Sequence, residues 1–96
     1  MIGIIATLKV QEGKNAELEA VFHDLAAKVK ASEPGALVYD LFKCRSEPNT
    51  YKVMEAYRDQ AAFEHHASTD YFKAGFPRLK ACLDGALGVE MLDGVA

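Results

Sequence analysis

The chain has no tryptophan, two cysteines and three prolines in 96 residues, and no long apolar run. Cys44 and Cys82 stand far apart with no second cysteine beside either, which excludes a metal knuckle or a close redox pair. Reduced thiols in a cytoplasmic protein are the expectation. Nothing approaches the roughly 20 apolar residues of a membrane span, and the strand-like start carries no basic leader. A soluble protein with no membrane partner follows. Charge of one sign is scarce too: 11 basic and 14 acidic residues are mixed along the chain, net −3. Without a basic stripe, no nucleic acid partner is expected. The chain also lacks a glycine-rich phosphate loop and a nucleophile elbow. With no linker, low-complexity tract or charge block to divide it, residues 1–96 read as one domain.

Half of the residues are hydrophobic, enough for a small core. Ile2 to Val10 is β-branched and apolar, a first strand broken by "QEGK". From Lys14 to Ser32, Leu18, Val21, Phe22, Leu25 and Val29 recur at helical spacing. Burying those five side chains contributes about 10 kcal/mol gross, an upper bound. "EPG" at 33 to 35 ends the helix, because a residue before proline leaves the α region. Leu37 to Cys44 and Tyr51 to Tyr57 predict a hairpin around Pro48 and Asn49. Asp59 caps a helix over Gln60 to Ala67, and a further helix over Thr69 to Leu83 is expected to kink or divide at Gly75 and Pro77. After "DG", Ala86 to Leu92 is the fourth strand. Strand, helix, strand, strand, helix, strand is the order of an α+β, ferredoxin-like split βαβ unit with a four-stranded antiparallel sheet.

Neither alternate set in the strands is cleanly polar. Ile2, Ile4, Ala6, Leu8 and Val10 form one set while Ile5 stands in the other, and Val38 and Phe42 oppose Tyr39 and Leu41. With helices on one sheet face, a second copy covering the other as a homodimer explains the pattern. Scattered surface apolars are the simpler alternative.

His65 and His66 are the chemically suggestive pair. Adjacent helical residues diverge by about 100°, so they cannot share one ion, and no metal site is expected. His23, beside Phe22, has no partnering motif. His66 lies three residues beyond Phe63 and turns inward, whereas His65 turns toward solvent. A neutral imidazole suits removal of a proton from a phenol or enol, but a half-buried histidine bonded to a backbone carbonyl explains the position equally. Glu55 and Tyr57 share a strand face, which allows a cluster with His66. Phe42, Phe63, Phe72 and Phe76 are candidates for an apolar pocket or for ordinary core.

"IIATLKVQEGKNAELEAVF" and "EPGALVYDLFKCRSEPNTYKVMEAYRDQAAFEHHAST", followed by "YF", resemble the antibiotic biosynthesis monooxygenase family over nearly the whole chain. The most specific part is the series Glu55, Tyr57, Ala62, Phe63, His66, supported by the segment from "EPG" to Tyr39. The resemblance implies a dimeric α+β barrel with a substrate cavity between sheet and helices. Its haem-degrading branch uses an asparagine and a tryptophan where this chain has Ala6 and Tyr57, so haem chemistry is not expected. The resemblance implies a cofactor-independent oxidation of a quinol or polycyclic phenol by O₂. His66 would be the proton acceptor and Tyr57 the hydrogen-bonding catalytic partner, with Glu55, Phe42, Phe63 and Phe72 against the substrate. Where the family often has a Pro-His pair before the aromatic at 72, this chain has Asp70 and Tyr71, which removes a second acid or base. Two other readings remain: a non-oxidative isomerase of a small enolisable metabolite, and a non-catalytic binding or stress-associated dimer.

Overall fold

A computed structural model describes residues 1–95. Its elements run β1 (Ile2–Lys9), α1 (Asn15–Ser32), β2 (Ala36–Lys43), β3 (Thr50–Tyr57), α2 (Gln60–Ser68), α3 (Asp70–Lys80) and β4 (Gly88–Asp93). The strands form one antiparallel sheet in the order β2-β3-β1-β4, the ferredoxin-like arrangement.

Each boundary has a local cause. Gly13 and Gly85 adopt φ of 85° and 90°, the left-handed turn conformation that their side-chain-free backbone tolerates. Asp59 accepts from the Ala62 N–H at 2.8 Å to start α2, and Thr69 accepts from the Phe72 N–H at 3.3 Å to start α3. The expected third helix is shorter than predicted, ending at Lys80, and it runs unbroken through Gly75 and Pro77. Pro77 removes only the bond to the carbonyl of Lys73, and both residues lie on the exposed side of α3, where water can serve that carbonyl.

The helices cover one sheet face. Leu18, Val21, Phe22, Leu25 and Val29 of α1 pack with Ala6, Leu8, Tyr39, Tyr51 and Val53 of the sheet and with Leu79 of α3. The strand registers put Ile4 beside Glu55, Ala6 beside Val53 and Leu8 beside Tyr51 on this face. On the opposite face, Val38, Phe42, Met54 and Leu92 are exposed. No helix among the described residues is long and apolar enough to cross a membrane.

Candidate functional site

The "EPG" turn does more than stop α1. The Glu33 N–H still bonds to the Val29 carbonyl at 2.9 Å, so the residue closes the helix, and the Arg58 N–H ties to the Gly35 carbonyl at 2.8 Å. Gly35 presses against α2 so closely that a Cβ there would lie 2.6 Å from the Ala62 Cβ. Ala62 and His66 are one helical turn apart on the same face of α2. The contact therefore brings Glu33 beneath His66.

Both side chains are almost sealed from solvent, at 4% and 3% exposure. His66 Nδ1 lies 3.1 Å from each carboxylate oxygen of Glu33. Against an ionised carboxylate, which only accepts, this hydrogen bond requires a proton on Nδ1, and in the neutral ring Nε2 then keeps its lone pair. No protein atom bonds to that buried Nε2. A buried acceptor without a partner costs about 1–3 kcal/mol until a donor reaches it. The carboxylate is placed to stabilise the imidazolium formed when Nε2 takes a proton, the logic of a carboxylate-oriented base.

Aromatic rings hold the imidazole on three sides. Tyr39, itself stacked on Phe22 at 5.1 Å, lies 5.2 Å from His66, Tyr57 lies 5.4 Å away, and Phe72 lies 4.7 Å away. Phe63 packs edge-on against Tyr57, and Phe76 stacks on Phe72. Tyr71 donates its hydroxyl to Glu33 Oε2. Tyr57, fully buried, donates its hydroxyl to Glu55 Oε1 at 2.6 Å. Burial foremost, then the Glu55 charge, pushes the Tyr39 and Tyr57 phenols far above their usual range, so both remain protonated donors. Burial also raises the Glu55 carboxyl, opposed by the Tyr57 hydrogen bond and by His66.

His66 and Glu55 both line a cavity of about 210 Å³ between the sheet and the helices α2 and α3. The remaining wall is almost wholly apolar, including Phe63, Phe72, Leu79, Val89 and Met91. Larger grooves elsewhere are polar and shallow; one runs between α1 and β2 beside Glu19, Lys30 and Lys43. Among the described residues no group of three or more His, Cys, Asp or Glu side chains is arranged to hold a metal ion.

A model of the family described as antibiotic biosynthesis monooxygenase matches residues 1–78. The chain belongs to this family. It is 33% identical over 89 residues to the "Putative monooxygenase YcnE" of Bacillus subtilis (strain 168), covering 93% of each chain. It also resembles the crystal structure of a "putative antibiotic biosynthesis monooxygenase" from Caulobacter crescentus CB15, with TM-score 0.95 and 53% identity over 99% of this chain and 90% of that one. The structure of PA3566 from Pseudomonas aeruginosa gives TM-score 0.84 and 30% identity, over 99% and 94% of the two chains.

Within this monooxygenase-family fold, His66, Glu55, Phe63 and Phe72 meet at one cavity, and His65 is exposed. The expectation for Phe42 is corrected. It pairs with Lys52 on the far face of the sheet, 49% exposed and away from the cavity, because the helix-facing set of β2 is Tyr39 and Leu41. Tyr57 is close to His66, but its hydroxyl is engaged by Glu55, and Glu55 rather than Tyr57 lines the cavity. Nor does Tyr71 leave its position without a titratable group: its phenol joins the Glu33–His66 pair. Sequence reasoning missed Glu33 altogether. The available signal was a carboxylate set directly before Pro34, inside the segment that carried the resemblance.

Proposed function

We propose that the protein is a homodimeric monooxygenase that oxidises a small quinol-like phenol with O₂, the substrate supplying the electrons. The reading is carried by the Glu33–His66 pair, whose unpartnered Nε2 belongs to a residue lining an apolar cavity. Nε2 takes the phenolic proton while Glu33 stabilises the resulting imidazolium. The phenolate passes an electron to O₂ and the two recombine at a ring carbon. That carbon exchanges its hydrogen for one oxygen atom, the other leaves as water, and the ring ends as a quinone. Water formation takes two protons at the departing oxygen: the His66 imidazolium returns one, and an acid recharged by the released ring C–H proton gives the other. Glu55, held toward its neutral form by burial and anchored at Oε1 by Tyr57, is the group suited to give it.

Apolar walls exclude water and strengthen these polar contacts. Size narrows the substrate: about 210 Å³ is somewhat more than the roughly 150 Å³ that admits benzene, which favours one or two fused rings. The second copy accounts for the exposed apolar side chains on the sheet face without helices.

Oxygen uptake on a panel of monocyclic and bicyclic quinols tests the reading. Consumption above the uncatalysed rate is expected, abolished by His66→Ala and reduced by Tyr57→Phe. Absence of any catalysed consumption across the panel refutes it. A base and an acid on one cavity also suit enol isomerisation, and turnover of an enolisable substrate without oxygen consumption would select that reading instead.

A further inference from the structure

We infer that Tyr71 is a positioning residue, which sets the pH at which the Glu33–His66 pair takes up a proton by hydrogen-bonding the carboxylate oxygen, Oε2, that the imidazole also contacts. The inference rests on His66 being the proton acceptor of the proposed reaction, but its test does not require turnover.

Tyr71 stands in the first turn of α3, next to the Thr69 cap that joins α2 to α3. Thr69 donates its hydroxyl to the His66 carbonyl at 2.8 Å while accepting from the Phe72 N–H. That elbow fixes Tyr71 relative to His66, and Glu33 enters between them from the end of α1. Glu33 Oε2 receives both the Tyr71 hydroxyl and His66 Nδ1–H. Burial first, then the bond to Glu33, pushes the Tyr71 phenol up to about 12, so it stays a donor wherever the fold is stable.

The other groups facing the imidazole are accounted for. Glu55 and Tyr57 approach from β3, where Tyr57 donates to Glu55, and Tyr39 approaches from β2. Tyr71 is thus the one side chain besides His66 that hydrogen-bonds Glu33 among the described residues. Its proton draws off part of the carboxylate charge and stops the carboxylate turning. Without it the carboxylate is the stronger base, and the pair binds its proton more tightly. A protonated pair has lost the lone pair that accepts the substrate proton. The Tyr71 hydroxyl therefore favours the open acceptor over the protonated pair.

The test is a pH titration of the histidine rings by ¹H–¹⁵N NMR on the ¹⁵N-labelled full chain, as wild type and Tyr71→Phe. Phenylalanine keeps the half-buried ring and removes only the hydroxyl. The His66 transition is expected to move up by about one pH unit, the size of one charge-assisted hydrogen bond, while those of exposed His23 and His65 stay in place. In a Glu33→Gln background the same substitution is expected to move nothing. An unchanged or lowered His66 transition, or an equal shift in the Glu33→Gln background, overturns the proposal. So does a variant that melts earlier with its His66 transition unmoved, since that marks a purely packing role. Failure of quinol oxidation would leave each of these outcomes readable.

Discussion

Replacing Glu33 should separate what the carboxylate does for stability from what it does for catalysis. In Glu33→Ala, the buried Nδ1–H of His66 loses its only acceptor, and the half-buried Tyr71 hydroxyl must turn to water. A stranded buried donor costs about 1–3 kcal/mol, and the lost packing of a side chain beneath α2 brings the expected destabilisation to about 2–4 kcal/mol. For a domain of this size, that lowers the melting temperature by about 10–20 °C, a large part of a total stability of about 5–15 kcal/mol. Glu33→Gln has nearly the same shape, and its amide oxygen can still accept from Nδ1–H, so its stability cost should be about 1 kcal/mol. What the amide cannot supply is a negative charge beside the imidazolium. In serine proteases the corresponding exchange costs about 10⁴-fold, there through the wrong tautomer, so that figure is the upper end of a loss of about 10²–10⁴-fold in kcat expected here. Urea unfolding at fixed protomer concentration measures the first quantity, since assembly would couple to it, and initial-rate oxygen uptake measures the second. Glu33→Gln with wild-type turnover, or Glu33→Ala with wild-type stability, would refute the assignment of Glu33 as the partner of the base.

Three further outcomes follow from the geometry. Gly35→Ala drives a methyl to within 2.6 Å of the Ala62 Cβ and should cost about 1–3 kcal/mol, recovered largely by adding Ala62→Gly; a double variant no more stable than the single would show that the clash is relieved elsewhere. Because the folded-state pKa of Glu55 is raised, the native protein holds that proton to higher pH than the unfolded chain does. Its stabilising contribution is complete below the ordinary value of 4.5 and is lost as pH rises through the raised one, so Glu55→Gln should gain stability relative to wild type between acid and neutral pH; parallel curves in pH-dependent unfolding would count against the burial effect. Met54→Lys puts a charge at the centre of the exposed apolar sheet face and, if the proposed homodimer forms there, should weaken its self-association by about 3 kcal/mol or more, two decades in Kd, in sedimentation experiments; unaltered association would place the proposed contact on another surface.

The order of elements was legible because each carried its own local signal: the five-residue stripe of α1, the Asp59 cap, the turn residues around Pro48. The faces of the strands were less so. Val38 and Phe42 are as apolar as Tyr39 and Leu41, and period-two alternation cannot tell which set meets the helices when both sets are apolar. The register irregularity between Ala36 and Val38 further blurs the count from the "EPG" turn. Phe42 went to the wrong face for that reason. His66 could be singled out because Phe63 gave α2 an inward side. Glu33 could not, since its significance depends on a contact 33 residues away, created by the close approach of Gly35 to Ala62. At the level of sequence, a carboxylate before proline is indistinguishable from a helix terminator, and this one is both.

That dual placement bears on how the molecule matures. Glu33 is fixed by the end of the first helix and the strand that follows it, whereas His66 and Tyr71 belong to the two helices of the second half of the chain. Neither half by itself contains the Glu33–His66 pair. A folding intermediate in which one half is ordered and the other undocked would hold either a carboxylate open to water or a histidine without an orienting partner. On the proposed mechanism, the carboxylate that orients the base meets it only when the two halves of the chain have docked.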